Sequence, residues 1–153
     1  MHKHRNVSVL IVEHSLPFYH VPIWNELGKT ESIELSVAFG RGYFTGPSGV
    51  AEGALPIPGV IETIIEPRIV KGKYLQPFLW HGAGLRTLIR GRYDVIIHQF
   101  ELKMLSLLPM LLIQKIRRKK TILWGIGRLS GETKKSILDG LRRLLARLSD
   151  AMI

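Results

Sequence analysis

The residues with the most chemical potential stand just beyond short runs of branched apolar residues. Glu13-His14-Ser15-Leu16-Pro17-Phe18-Tyr19-His20 follows Val7 to Val12 and leads into Pro22, bringing two histidines, a serine and two aromatics to a helix start. A helix amino terminus offers unpaired N–H groups to a polar or anionic ligand. His98-Gln99-Phe100-Glu101 follows a second apolar run. A histidine beside a carboxylate suits general acid/base work because it titrates near neutral pH, while a histidine bonded only to neighbouring backbone is the alternative. Trp124-Gly125-Ile126-Gly127-Arg128 follows a third. Its two glycines allow close backbone approach to a ligand and Arg128 can hold an anionic group, or the segment is an ordinary tight turn.

These segments need a scaffold that gathers strand ends. Val7–Val12, Ile33–Phe39, Val60–Glu66, Asp94–His98 and Thr121–Trp124 read as strands, their branched residues running on with little alternation, as in a buried parallel sheet. Helices are expected from Pro22 to near Gly28, over Gln76–Arg92, over Leu102–Ile116, and through a last segment with Ile137, Leu138, Leu141, Leu144, Leu145 and Leu148 on one stripe. Glu132 falls where a helix dipole favours an acid. Strands alternating with helices imply right-handed crossovers: an α/β, Rossmann-like domain, mostly parallel, with helices on both faces. Ligands of such sheets bind beyond the carboxyl ends of the strands, where the three segments fall. Gly40–Gly59, rich in glycine and containing Pro47, Pro56 and Pro58, is a long loop of the kind kept for function.

Composition narrows the classes. The 153 residues fit one domain, and the absence of cysteine excludes disulfides and thiolate zinc sites. The six histidines show no HExxH spacing, so no metal site is expected, and there is no GxGxxG, GxxxxGK[ST] or GxSxG. The run Leu102–Ile116, broken by Lys103, Pro109, Gln114 and Lys115, is too short to span a bilayer, and Val7–Val12 is too short for an export signal. A cytoplasmic protein, peripheral at the inner membrane face, is expected. The formal net charge is +10, and from Glu101 onward twelve Lys/Arg stand against four Asp/Glu. That surplus points to an anionic partner or to solvated helix faces. Arg117, Arg118, Lys119 and Lys120 are the expected membrane-facing group. Nucleic acid is disfavoured because the aromatics are not interleaved with the basic clusters.

The ordered set EHSLPFYHVPIWNEL, YDVIIHQFE, LSLLPMLL, KKTILWGIG and SDAMI resembles the amino-terminal domain of GT-B-fold glycosyltransferases of the retaining family 4. The likeness covers the whole chain. It implies an acceptor-side domain over residues 1–153, a donor domain beyond it, and sugar transfer in the cleft between them without an obligatory metal or other cofactor. The nucleotide-sugar is then a co-substrate, and the acceptor a glycan or lipid-linked cell-envelope molecule. By position His98 resembles the family's cleft histidine; in an alternative register Gln99 takes that place. His14, Ser15, Tyr19, His20, Gln99, Glu101, Gly125, Gly127 and Arg128 are the implied acceptor contacts. Ile126 departs from the family's W-G-H-G, which leaves open an inactive relative. Ala151-Met152-Ile153 reads as the start of a further strand, and the chain is expected to be truncated relative to its functional form. The rival class is a stand-alone Rossmann-like module with a basic nucleic-acid- or membrane-binding face.

Overall fold

The computed structural model describes residues 6–13, 16–17, 19–40, 61–65, 68–70, 78–102, 104–125 and 137–153. Its core begins at β1 (Val7–Glu13), whose last five residues are all buried. A strand buried on both faces belongs in the middle of a sheet, and each fully buried Leu or Ile there contributes roughly 1.5–3 kcal/mol. α1 (Val21–Gly28) follows, with Pro22 in its first turn, where the missing N–H costs no hydrogen bond. β2 (Ile33–Gly40) and β3 (Ile61–Ile65) pair in parallel on one side of β1.

β4 (Arg68–Val70) and β5 (Phe78–Trp80) form a small antiparallel pair outside the main sheet. The second helix was expected from Gln76, but the Phe-Leu-Trp run takes the extended form that suits aromatic residues. α2 (Gly82–Arg90) therefore starts only after His81. β6 (Val95–Gln99), α3 (Leu107–Ile116), β7 (Lys120–Trp124), α4 (Ile137–Leu148) and β8 (Ala151–Met152) complete the chain. The expected helix from Leu102 begins five residues later, behind Ser106. Pro109 then lies in the first turn, whose N–H groups have no helical partner. The position of Glu132 falls outside the described residues, and Asp139 is the acid in the first turn of α4.

All pairings in the main sheet are parallel, in the order β3-β2-β1-β6-β7-β8. This is the doubly wound Rossmann-like order, with its reversal between β1 and β6. Helices cover both faces. On one, α1 packs Val21, Trp24 and Leu27 against Val9, Ile11, Leu35, Val37 and Phe39. On the other, α2 and α3 pack Leu88 and Met110 on Leu10, Val12 and Ile96, and α4 packs Leu145 with Leu107, Leu111 and Leu123. Leu144, expected on the buried stripe of α4, is instead 46% exposed. Leu141, Leu145 and Leu148 suffice to fill the groove above α3.

β8 is held firmly despite its length. Asp150 accepts the Thr121 N–H (2.9 Å) and pairs with Lys120 (3.0 Å). These bonds, the backbone one foremost, hold the Asp150 carboxyl below its ordinary range.

Candidate functional site

The strand order reverses between β1 and β6, and the carboxyl ends of the strands at such a reversal are the place where open α/β sheets bind ligands. Glu13 ends β1 and is fully buried. Its carboxyl group faces Nδ1 of His20 at 3.0 Å (Oε1) and 3.2 Å (Oε2), and accepts the Trp24 indole N–H at 3.2 Å. Local chain geometry brings these together. His20 is the N-cap of α1 and Trp24 stands one turn later, so one helix start presents both groups to the strand end.

Trp124, at the end of β7, closes the cluster. Its ring centroid lies 5.0 Å from that of His20 and 5.2 Å from that of Trp24. Tyr19, 57% exposed, meets the other side of the His20 ring edge-on at 4.6 Å. Such edge-to-face contacts hold the imidazole ring in addition to the bond at Nδ1. With Nδ1 committed to the carboxyl group, Nε2 is the nitrogen left to exchange a proton or a hydrogen bond. A buried carboxylate that orients a histidine is an arrangement used in acid/base chemistry, and here His20 is itself 8% exposed.

The two halves of the His98-Gln99 pair part company. Strand alternation sends Ile96 and His98 to the α2/α3 face and Gln99 to the face of Ile97 and Val95. Gln99 is the register partner of Trp124 and so sits beside the His20 cluster. His98 is fully buried, and neither ring nitrogen finds a hydrogen-bond partner among the described residues. Burial, with a smaller contribution from nearby His81, pushes its pKa from 6.5 to about 3, so the ring is neutral at physiological pH. A single cleft containing the side chains of both His98 and Gln99 is therefore not formed. His81 is also fully buried, and its N–H donates to Ser106 Oγ (3.2 Å), tying the start of α2 to that of α3.

Of the other expected contacts, Glu101 is half-buried beyond β6, and Gly125 is exposed beyond β7. Gly125 has φ 152°, a conformation that L side chains rarely adopt. Its N–H donates to the Ile153 carbonyl (3.0 Å) and so joins the loop after β7 to the end of β8. His14, Ser15, Gly127 and Arg128 lie outside the described residues.

The four basic residues lie together at the opposite, amino-terminal edge, and most are engaged by the fold. Arg117 donates to the Leu88 and Ile89 carbonyls (2.8 Å each), capping α2. Lys119, half-buried rather than exposed as expected, pairs with Asp94 (2.8 Å). Lys120 pairs with Asp150, and Arg118 is exposed.

Among the described residues no cluster of three or more potential metal ligands occurs, and no helix is long and apolar enough to cross a membrane. No family model, curated protein or solved structure matches this chain. Sequence reading missed Glu13 and Trp24 as site residues. Their signal was present: a carboxylate closing a buried strand is costly unless partnered, and the partners had to come from the adjoining helix start.

Proposed function

We propose that this chain is the acceptor-side half of a glycosyltransferase that moves a sugar from a nucleotide-sugar to a hydroxyl of a cell-envelope or lipid-linked acceptor. The observation that carries the reading is the Glu13–His20 pair, bonded by Trp24 and packed against Trp124, at the point where the strand order reverses. Half-buried Trp124 and exposed Tyr19 suit the apolar C–H faces of a sugar ring, and Gln99 beside Trp124 supplies a polar group for its hydroxyls.

In this reading the acceptor hydroxyl meets Nε2 of His20. Its oxygen bonds to the donor's anomeric carbon on the face from which the phosphate departs, as that carbon's bond to the nucleotide phosphate oxygen breaks. The electron pair leaves with the nucleotide, and the hydroxyl proton passes to Nε2. Glu13 stabilises the imidazolium so formed and fixes the ring orientation. The donor is held by a second α/β domain. His98, neutral and enclosed, shapes the far side of the strand end.

The test is a panel of nucleotide-sugars incubated with the full protein and envelope lipid extract, following nucleotide release and sugar incorporation into lipid. Incorporation that disappears in His20→Gln supports the reading. Absence of both release and incorporation across the panel would sink it.

A further inference from the structure

Opposite the Glu13–His20 pair, at the amino-terminal edge of the sheet, the carboxyl ends of α2 and α3 border a cavity of ≈ 520 Å³. That lies within the roughly 300–1,000 Å³ of small-molecule sites. Arg90, Arg92, Arg117 and Lys119 line it, together with Tyr93 and Gln114. Gln114 is only 2% exposed, and its buried side-chain oxygen finds no donor among the described residues. An amide oxygen so placed is costly until a donor reaches it. Gly91 shapes the wall. Its φ of −77° suits any residue, yet a Cβ there would collide with the Tyr93 ring and the Thr87 carbonyl. The glycine lets the aromatic ring lie against the end of α2.

The charge on this lining selects the ligand. Two helix carboxyl ends meet here, and each presents about half a negative charge from its carbonyl dipoles. Arg117 answers part of that by donating to the Leu88 and Ile89 carbonyls, and Lys119 is paired with Asp94. Arg90 and Arg92 are exposed and form no ion pair or side-chain hydrogen bond among the described residues. Four cations less the Asp94 carboxylate leave three positive charges, and the two helix ends offset about one of them. The surplus of about two matches the charge of about −1.5 to −2 on a phosphate monoester near pH 7. Leu88 is buried, so Ile89 is the one exposed aliphatic side chain in the lining. A rim this polar suits a hydrophilic ester in solution rather than an acyl chain.

We infer that this cavity binds a small soluble phosphate monoester carrying a hydroxyl group, its phosphate on Arg90, Arg92 and Arg117 and its hydroxyl donating to Gln114. Planar guanidinium groups match phosphate oxygens, and Arg117 keeps N–H groups beyond the two it commits to α2. Bound there, the ester ties the end of α2 to the end of α3 and stabilises the native chain. The inference does not depend on the sugar-transfer reading, because binding is measured without turnover.

The experiment is titration calorimetry of the full protein with glycerol phosphate, inorganic phosphate and glycerol in turn. Phosphatidylglycerol vesicles and a nucleic-acid duplex form parallel arms. Glycerol phosphate should bind more tightly than inorganic phosphate, glycerol should not bind, and the bound ester should raise the unfolding temperature. Arg90→Gln with Arg92→Gln, which removes only exposed side chains, should weaken binding roughly thirty-fold. Gln114→Leu, which leaves no buried amide unmatched and so should fold, should bring glycerol phosphate down to the affinity of inorganic phosphate. No heat with glycerol phosphate, equal affinity for inorganic phosphate in the native chain, or indifference to the double arginine variant would overturn the proposal. So would binding to the vesicles or the duplex without uptake of the free ester.

Discussion

Nδ1 of His20 lies 3.0 Å from a carboxyl oxygen of Glu13, seven residues earlier in the chain and fully buried at the end of the central strand. The pair needs both a strand that ends in a carboxylate and a helix that starts with a histidine. The carboxylate also accepts the Trp24 indole N–H, so the same group ties β1 to α1 at the point where the strand order reverses. Its role is open to direct measurement.

Replacing His20 by Gln should lower kcat by roughly 10²–10⁴-fold, the span of a lost acid/base group, with KM changed far less. Glu13→Gln keeps an oxygen for the Trp24 N–H but removes the charge facing His20. A smaller fall in kcat is expected there, together with altered tryptophan fluorescence. Unchanged turnover in both variants would remove the pair from the chemistry.

His98 makes a separate prediction about acid stability. A base whose folded pKa lies near 3 against 6.5 unfolded resists protonation in the native state. The unfolded chain therefore binds the extra proton, and stability falls as pH drops from about 6.5 toward 3. Between pH 7 and pH 5 this one group should remove about 2 kcal/mol. Urea unfolding of the native chain and of His98→Leu at both pH values measures it. An identical pH slope in the two proteins would show that the burial of His98 does not govern acid sensitivity.

Arg118 has φ 54°, the left-handed conformation, at the position following the C-cap of α3. The Lys119 N–H reaches the Gln114 carbonyl and the Arg118 N–H that of Lys115, the paired bonds of a helix stop usually built on glycine. Arg118→Gly should therefore stabilise the protein by about 1 kcal/mol, read as a higher urea midpoint at unchanged m. Arg118→Val, stiff at its β-carbon, should move the midpoint the other way.

Asp150 joins β8 to β7 through a backbone and a side-chain donor, and the two are separable. Asp150→Ala should cost about 1 kcal/mol, chiefly from the unpaired Thr121 N–H. Lys120→Met, which removes only a largely exposed ion pair, should cost less than about 0.5 kcal/mol. The Asp150 carboxyl is held below its ordinary value of 3.8, so its contribution persists above that pH and is lost on further acidification. Equal costs for the two variants would contradict this ranking.

The strands of the main sheet were legible in the apolar pattern, whereas the small β4–β5 pair was not. Val7–Val12, Asp94–His98 and Thr121–Trp124 are continuous apolar or branched runs, which only a strand covered on both faces can bury, and the intervening helices require crossovers that make the sheet parallel. Alternation along Ile97-His98-Gln99 guarantees that His98 and Gln99 point to opposite faces, but not which face lies beside His20. That choice followed from the side taken by α1 and from the register placing Trp124 beside Gln99. The same limit hid the α2 cap, for Arg117 reaches carbonyls 28 and 29 residues back in the chain. Local pattern specifies a period of two or of 3.6; which side chains meet across elements depends on layer and register, and those exist only once the whole sheet has assembled.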